Sequence, residues 1–333
     1  MKKIRVKSPA NIAFIKYWGQ RDKNLVLPFN DSFSMNLSGC YTTLEIENKE
    51  NSGVKELYIK NYQEKAYKKA DQKSLEKVID FYQKAKEFLK EKDDFGFIIK
   101  SANSFPKKAG IASSASFFAG LALGFSKLFE VDLGQKELSI LARLSGSGSA
   151  CRSIPDGFSW WHKGKNSQTS YAESIASCSF WDLVDLVLIL SKEEKRISSQ
   201  EGHQRATTSP FFKFRLLDLK RRVKEIKKVF QSNDFSYFGR LIEEEAISMH
   251  TVMMTQNPPL YYWSGKTIEI IEKTVELRKQ GVEIYYTVDA GENVHIICQK
   301  KDEKKAFRYF QKQPEVLEII KNYPAIGARI INE

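Results

Sequence analysis

Cysteine and histidine are scarce in this chain, four of each in 333 residues. Cys40, Cys151, Cys178 and Cys298 lie far apart, no C-x-x-C occurs, and no histidine stands at metal-ligand spacing. That argues against a disulfide-framed fold and a structural zinc site, and points to free thiols in a reducing cytoplasm. No apolar run approaches the roughly 20 residues that a membrane-spanning helix needs. The opening MKKIRVKSPANIAF is basic but lacks the long apolar centre and cleavage site of a secretory signal. Neither the Walker A pattern nor G-x-G-x-x-G is found, so two familiar glycine-rich phosphate motifs are missing.

Lysine, by contrast, is abundant. Lys and Arg total 53 against 41 Asp and Glu, a net charge of +12. Such an excess fits either nucleic-acid binding or a basic surface that attracts anionic metabolites. Much of it sits in the mixed-charge run KNYQEKAYKKADQKSLEKVIDFYQKAKEFLKEKDD, where Lys and Glu intersperse as on a solvated helix face. No RNA-recognition aromatic signature or basic tail accompanies it. The expectation is therefore a metabolite-binding protein, with neither nucleic acid nor membrane as partner.

The hydrophobic pattern alternates strand and helix in the first half. Ile4 and Val6 alternate with charges, YTTLEIEN over 41–48 is β-branched, and 95–100 is a short apolar run. Helical spacing marks 74–90, the stretch through Phe129 and 135–145, and a strand follows over 158–162. DLVDLVLILS over 182–191 opens a helix-richer portion, with helices over 210–230, 237–253 and 263–280. Strands over 283–288 and 294–299 flank DAGEN, and a helix covers 302–313. This order predicts an α+β protein of two subdomains meeting at a cleft, divided near residue 180.

The most informative stretch is NSFPKKAGIASSAS, residues 103–116. A small-residue turn opens a helix there, where exposed N–H groups and the helix dipole favour a phosphate. An ordinary serine-capped helix would read the same way. Pro106, Gly110, Ile111, Ser113 and Ser114 nevertheless resemble the phosphate loop of the GHMP small-molecule kinases, Pro-x-x-x-Gly-Leu-x-Ser-Ser. Three further segments narrow the resemblance: NIAFIKYWGQ within 8–38, GSGSACRS within 143–161, and VDAGEN within 286–296. In this order they are similar to the signatures of the diphosphomevalonate decarboxylases.

The resemblance implies a GHMP kinase fold. Residues 1–180 would form an ATP-binding half like ribosomal protein S5 domain 2, and 181–333 an α/β half. It implies ATP and Mg²⁺, 5-diphosphomevalonate as the other small-molecule partner, and a homodimer. A kinase or decarboxylase of the same superfamily acting on mevalonate or a monophosphate remains the alternative, with a basic RNA-binding protein more distant.

Residue by residue, Asp289 ends the apolar strand IYYTV, where a turn can aim its carboxylate inward as a general base. Strand-end Asp-Ala-Gly is also an everyday turn, and the resemblance is what makes Asp289 catalytic. Arg152 carries a planar guanidinium suited to a two-pronged carboxylate grip, and the resemblance sets Asn11 beside it. Substrate contacts are implied for Tyr17, Trp18, Gly19 and Gln20, for Ser147, Gly148, Ser149, Ala150 and Cys151, and for Ser199 and Gln200. Nucleotide contacts are implied for the loop of Pro106, Gly110, Ile111, Ala112, Ser113 and Ser114. Cys151 is also expected simply as a small packing residue. Three positions depart from the family pattern: Gln20 stands for lysine, His203 for methionine and Glu292 for proline. Gln20 removes a charge from the diphosphate pocket, for which the adjacent Arg21 is a candidate replacement. Lys195 and Arg196 read either as further phosphate-binding charge or as a solvated run.

Overall fold

The computed structural model describes residues 2–49, 52–106, 111, 113–192 and 199–332. In chain order come β1 (Lys3–Ile15), the hairpin strands β2 (Gln20–Asp22) and β3 (Leu27–Pro28), β4 (Ser32–Lys49), β5 (Lys55–Lys60) and β6 (Lys68–Lys69). Next follow α1 (Gln72–Leu89), β7 (Gly96–Asn103), α2 (Ser113–Leu128), α3 (Gln135–Leu144), a 3₁₀ turn (Gly148–Ser153), β8 (Phe158–Trp161) and β9 (Ala172–Ala176). The second half comprises β10 (Leu183–Ile189), α4 (Ser199–Arg205), α5 (Phe212–Ser232), α6 (Phe235–Thr255), α7 (Gly265–Lys279), β11 (Ile284–Val288) and β12 (Val294–Gln299). It closes with α8 (Glu303–Phe310), β13 (Glu318–Asn322) and β14 (Arg329–Ile330).

The first sheet runs β14-β1-β4-β7-β5-β6, with β8 on the far end of β4 and β9 beyond it. Its spine is the long β4, whose Ser32–Met35 stretch pairs with β8 and whose Thr42–Lys49 stretch pairs with β7. Two serines are buried in that first stretch, so its apolar alternation is weak in sequence. Ser34 bonds Ser159 at 2.9 Å, and just beyond, Asn36 donates through Nδ2 to the Pro155 carbonyl at 2.6 Å. β1 is out of regular register with β4 between Pro9 and Asn11 and again between Ala13 and Ile15. Such irregularities re-aim side chains near functional sites. The second sheet, β11-β12-β10-β13, is antiparallel throughout. β10 is apolar along nearly its whole length because both of its faces are covered.

Three apolar clusters build the layers. The helices α1, α2 and α3 cover one part of the first sheet, with Phe81, Tyr82, Phe118 and Phe125 against Leu44, Ile46 and Phe97. The antiparallel pair α5–α6 lies between the sheets, where Phe230, Phe238 and Leu241 meet Phe14, Phe33 and Trp160 on one side and Leu183 and Val187 on the other. α7 and α8 cover the outer face of the second sheet through Ile270, Leu277, Ala306 and Phe310. No helix among the described residues is long and apolar enough to cross a membrane.

Candidate active site

Five chain segments converge where the sheets meet. β1 ends at Ile15, so Lys16 and Tyr17 project from its end, while β11 ends at Val288 and presents Asp289. The 3₁₀ turn carries Arg152, the first turn of α2 carries Ser114, and the first residue of α4 is Ser199. Lys16, Ser114, Ser149, Arg152, Met249 and Asp289 border a cavity of about 80 Å³. A wider one of about 360 Å³ adjoins it, sharing Tyr17, Ser114, Ser149, Ser199 and His203 and adding Gln20, Lys77 and Lys84. A cavity of about 420 Å³ between Lys2, Arg5, Lys127 and residues 330–332 contains none of these groups.

Asp289 accepts a hydrogen bond from Lys16 Nζ at 2.6 Å, and its side chain keeps 20% exposure toward the cleft. Burial alone would push its carboxyl up. The Lys16 ammonium, with lesser help from His295 and Arg152, outweighs that and holds it below its ordinary value. The group is therefore a carboxylate that can accept a proton. Lys16 itself is almost fully buried, and burial lowers its pKa even against the pull of Asp289.

Arg152 and Asn11 come together as the motifs imply. Arg152 Nε donates to Asn11 Oδ1 at 3.0 Å and Nη1 donates to the Ser32 hydroxyl. Asn11 Nδ2 in turn donates to Ser153 Oγ at 2.8 Å and to the Ser149 carbonyl at 3.1 Å. Two sides of the guanidinium are thus clamped while its group borders the small cavity, which leaves Nη2 for an anionic ligand. Burial lowers the pKa of Arg152, yet no carboxylate pairs with it among the described residues. A ligand carboxylate would supply the missing charge.

Of the glycine-serine motif, Ser147, Gly148 and Ser149 line the wider cavity. A Cβ on Gly148 would come within 2.8 Å of the Trp161 ring and 3.0 Å of Tyr17, so only glycine fits. Ser147 Oγ bonds Ser114 Oγ at 3.0 Å, joining this turn to the start of α2. Ala150 and Cys151 line neither cavity. Both are fully buried, and burial pushes the Cys151 thiol up to about 12, which suits the packing role rather than substrate contact.

Tyr17 stacks on His203 at 4.1 Å and meets Trp161 edge-on at 4.7 Å. Trp18 is nearly all buried, with Nε1 donating to Gln256 at 3.1 Å, although it also borders the small cavity. Gly19 has φ +96°, and its N–H donates to His203 Nδ1 at 3.0 Å. Gln20 donates to the Tyr17 hydroxyl at 2.6 Å. Arg21 does not replace the absent lysine: its guanidinium is spent on the carbonyls of Pro28, Lys163, Gly164 and Lys165.

In the phosphate loop, Pro106 and Ile111 are buried supports and Ser113 begins α2. Gly110, Ala112, Lys195, Arg196 and the side chain of Gln200 lie outside the described residues. The hydroxyl of Ser114 and the carboxylate of Asp289 are hard oxygen groups on one cavity. They suit Mg²⁺, which prefers such ligands and commonly arrives on nucleotide phosphates.

Several contributors escaped the sequence. Lys16 stands within NIAFIKYWGQ, yet only the fold pairs it with Asp289, far along the chain. Ser32, outside the quoted motifs, and Ser153, the last residue of GSGSACRS, steady Arg152 and Asn11. Glu245 and His250 of α6 pass for ordinary helix residues, although a buried Glu and His in an apolar helix were a signal.

Comparison with known proteins gives the same picture along the whole chain. Residues 8–172 match the diphosphomevalonate decarboxylase-like N-terminal domain, and residues 185–326 match the mevalonate 5-diphosphate decarboxylase C-terminal domain. The diphosphomevalonate decarboxylase of Debaryomyces hansenii is 33% identical over 92% of this chain and 82% of its own. That of Danio rerio is 32% identical, over 98% and 84%. The structure of mevalonate diphosphate decarboxylase from Staphylococcus aureus superposes with a TM-score of 0.92 at 32% identity, covering 99% of this chain and 98% of the other. MDDEF in complex with MVAPP, AMPPCP and magnesium gives 0.90 at 29% identity, with 99% of each chain covered. The α+β class and the GHMP kinase fold expected from the motifs therefore hold. With both domain models matched in order and a 33% identical relative covered over 82% of its length, the chain belongs to the diphosphomevalonate decarboxylase family.

Proposed function

We propose that this chain uses ATP to convert 5-diphosphomevalonate to isopentenyl diphosphate, ADP, phosphate and carbon dioxide, with Asp289 and Arg152 as its reacting and clamping groups. The observation that carries it is that Lys16, Arg152, Asp289 and Ser114 border one small cavity. The chemistry asked of such a site is specific. A tertiary hydroxyl leaves poorly, and a carboxylate without an adjacent carbonyl has no electron sink. Phosphorylating the hydroxyl creates a leaving group, its departure makes the carbon electron-deficient, and loss of carbon dioxide supplies the electron pair of the new alkene.

Asp289 orients the hydroxyl and takes its proton as the bond to phosphorus forms. Its lowered pKa suits that task, because phosphoryl transfer asks for late proton removal rather than a strong base. Lys16 keeps the carboxylate ionised and in place. Arg152, clamped by Asn11 and Ser32, holds the substrate carboxylate through its remaining donor. Ser114 and the N-terminus of α2 receive the nucleotide phosphates, aided by the positive end of the helix. Tyr17, Gln20, Ser147, Ser149, Ser199 and His203 offer donors to the substrate diphosphate in the wider cavity. Mg²⁺, which is present with MVAPP and AMPPCP in the MDDEF complex, would be held by Ser114 and Asp289 and would offset the charge of the nucleotide phosphates.

The homodimer and the cytoplasmic site belong to the same proposal; light scattering and fractionation test them. Four free thiols fit the second. The activity is tested by measuring ADP and carbon dioxide together with mevalonate, its monophosphates and 5-diphosphomevalonate. Equal release of both with the diphosphate alone is expected. ADP without carbon dioxide would make the protein a kinase.

A further inference from the structure

Two fully buried polar residues of α6, Glu245 and His250, have no part in the chemistry derived so far; Glu245 touches the backbone of Lys16, and His250 touches that of Val288, the residue before Asp289. Glu245 Oε1 accepts the Lys16 backbone N–H at 3.0 Å. The same oxygen accepts from Arg215 Nη2 at 2.6 Å, and that Nη2 also reaches the Lys16 carbonyl at 3.4 Å. Asn30 Nδ2 donates to this carbonyl at 3.0 Å. Arg222 stands 2.9 Å from the other Glu245 oxygen, without hydrogen-bond alignment. Both sides of Lys16 along the main chain are therefore held by charged groups of α5 and α6.

His250 does the equivalent on the other strand. Its Nε2 lies 3.4 Å from the carbonyl of Val288, the residue just before Asp289. A carbonyl can only accept, so this nitrogen carries the proton. The ring rests against Trp263 at 4.7 Å. Burial and the nearby Lys16 push the imidazole down to about 3, so it remains neutral and does not take the charge itself. Met249, its neighbour in the helix, borders the cavity.

A buried Arg–Glu–Arg group is weak evidence for stability, because apolar residues of similar volume often serve as well or better. Here the cluster has a geometric output: the lysine main chain is pinned where its ammonium meets the base. We propose that α6 is the positioning element of the reacting pair, with Glu245 setting Lys16 through its N–H and His250 setting Asp289 through the Val288 carbonyl. Neither is a catalytic residue, since neither touches the reacting atoms. The proposal rests on Asp289 acting as the base, which the experiment below tests separately.

Glu245→Met removes the acceptor at similar volume, whereas Glu245→Gln keeps an oxygen for the Lys16 N–H. His250→Phe removes the donor and keeps a ring, whereas His250→Gln can place an N–H at the same point. With ATP and 5-diphosphomevalonate, Glu245→Met and His250→Phe should each lower kcat roughly tenfold or more with both KM values nearly unchanged, as misplacement of a reacting group does. The Gln variants should recover most of the loss. The decisive measurement is a double-mutant cycle. In a Lys16→Met background, Glu245→Met should lower kcat less than about twofold further, because the residue through which it acts is gone. Full additivity there, or unchanged kcat in folded Glu245→Met, would overturn the proposal for Glu245. If Glu245→Met does not fold, the same cycle with Glu245→Asp, whose shorter side chain draws the acceptor away from the Lys16 N–H, decides the Glu245 half, and His250→Phe measured alone decides the other. Unchanged kcat in folded His250→Phe would overturn the His250 half. Asp289→Asn with near-normal turnover would instead mean that the base assignment itself has failed.

Discussion

Lys16 Nζ and Asp289 Oδ1 are 2.6 Å apart, and that contact joins the end of the first strand of one sheet to the end of a strand in the other. The carboxylate is thus charged, oriented and placed on a cavity by a cation that comes from the opposite half of the chain. Asp289→Asn keeps the shape and removes the proton acceptor. Turnover should fall by at least about two orders of magnitude while ATP still binds. Single-turnover kinetics with equilibrium nucleotide binding check both parts.

Lys16→Met should change the pH dependence before anything else. Burial favours the neutral acid, and Lys16 is the largest influence opposing it. Without the ammonium the Asp289 pKa rises, so a higher pH is needed to keep it ionised. The acidic limb of kcat/KM should move up by about 1–3 pH units, the range for loss of an adjacent opposite charge. An unmoved limb would mean that the ion pair does not govern the active form.

Arg152→Lys keeps the charge and loses the plane. The guanidinium bonds Asn11 and Ser32 while keeping Nη2 for a ligand, and an ammonium cannot span those three directions. A loss of roughly tenfold or more in kcat/KM is expected. Near-full activity would reduce Arg152 to a nearby charge.

Gln20→Lys should lower KM for 5-diphosphomevalonate with little change in kcat, the mark of binding shared by ground and transition states. Arg21 is occupied by four carbonyls, so no cation already stands in for the missing lysine from that side. A new charge-assisted hydrogen bond is worth about 1.5–3 kcal/mol at best, which caps the gain at roughly 10- to 150-fold. Wild-type preference for a monophosphate, reversed by the substitution, would show that the substrate was assigned wrongly.

Asp71→Ala tests the frame rather than the site. Asp71 caps α1 by accepting the Ser74 N–H at 2.8 Å. Losing the cap should lower stability by about 1 kcal/mol, read from denaturant unfolding, with kcat unchanged at saturation.

Where the chemistry lies within one segment, it could be read from the chain. IYYTV followed by Asp-Ala-Gly announces a strand end with a carboxylate, and ASSAS before an apolar run announces the first turn of α2. The β5 strand KELYIK escaped notice because half-exposed, charged residues dilute its pattern, and the Ser32–Met35 part of β4 did so because buried serines interrupt it. The Lys16–Asp289 pair, the Glu245 cluster and the Ser32–Arg152 bond depend on which strand ends meet, and no local periodicity encodes that. Ala150 and Cys151 looked like ligand contacts because they share a motif with Ser149 and Arg152. Within a 3₁₀ turn, successive residues face different ways.

β14 pairs with β1 through Val6–Ile330 and Lys7–Arg329, two stretches from opposite ends of the sequence. During synthesis the first sheet can gather long before its last strand exists, so one side of β1 waits with unpaired backbone groups. An open edge of that kind invites pairing with another nascent chain. Lys3, Arg5 and Lys7 alternate with buried Ile4 and Val6 along it, and charged side chains on a waiting edge are a common guard against such pairing. Lys3, Arg5 and Lys7 would therefore have a use that the folded contacts do not display: shielding the open side of β1 until β14 has been made.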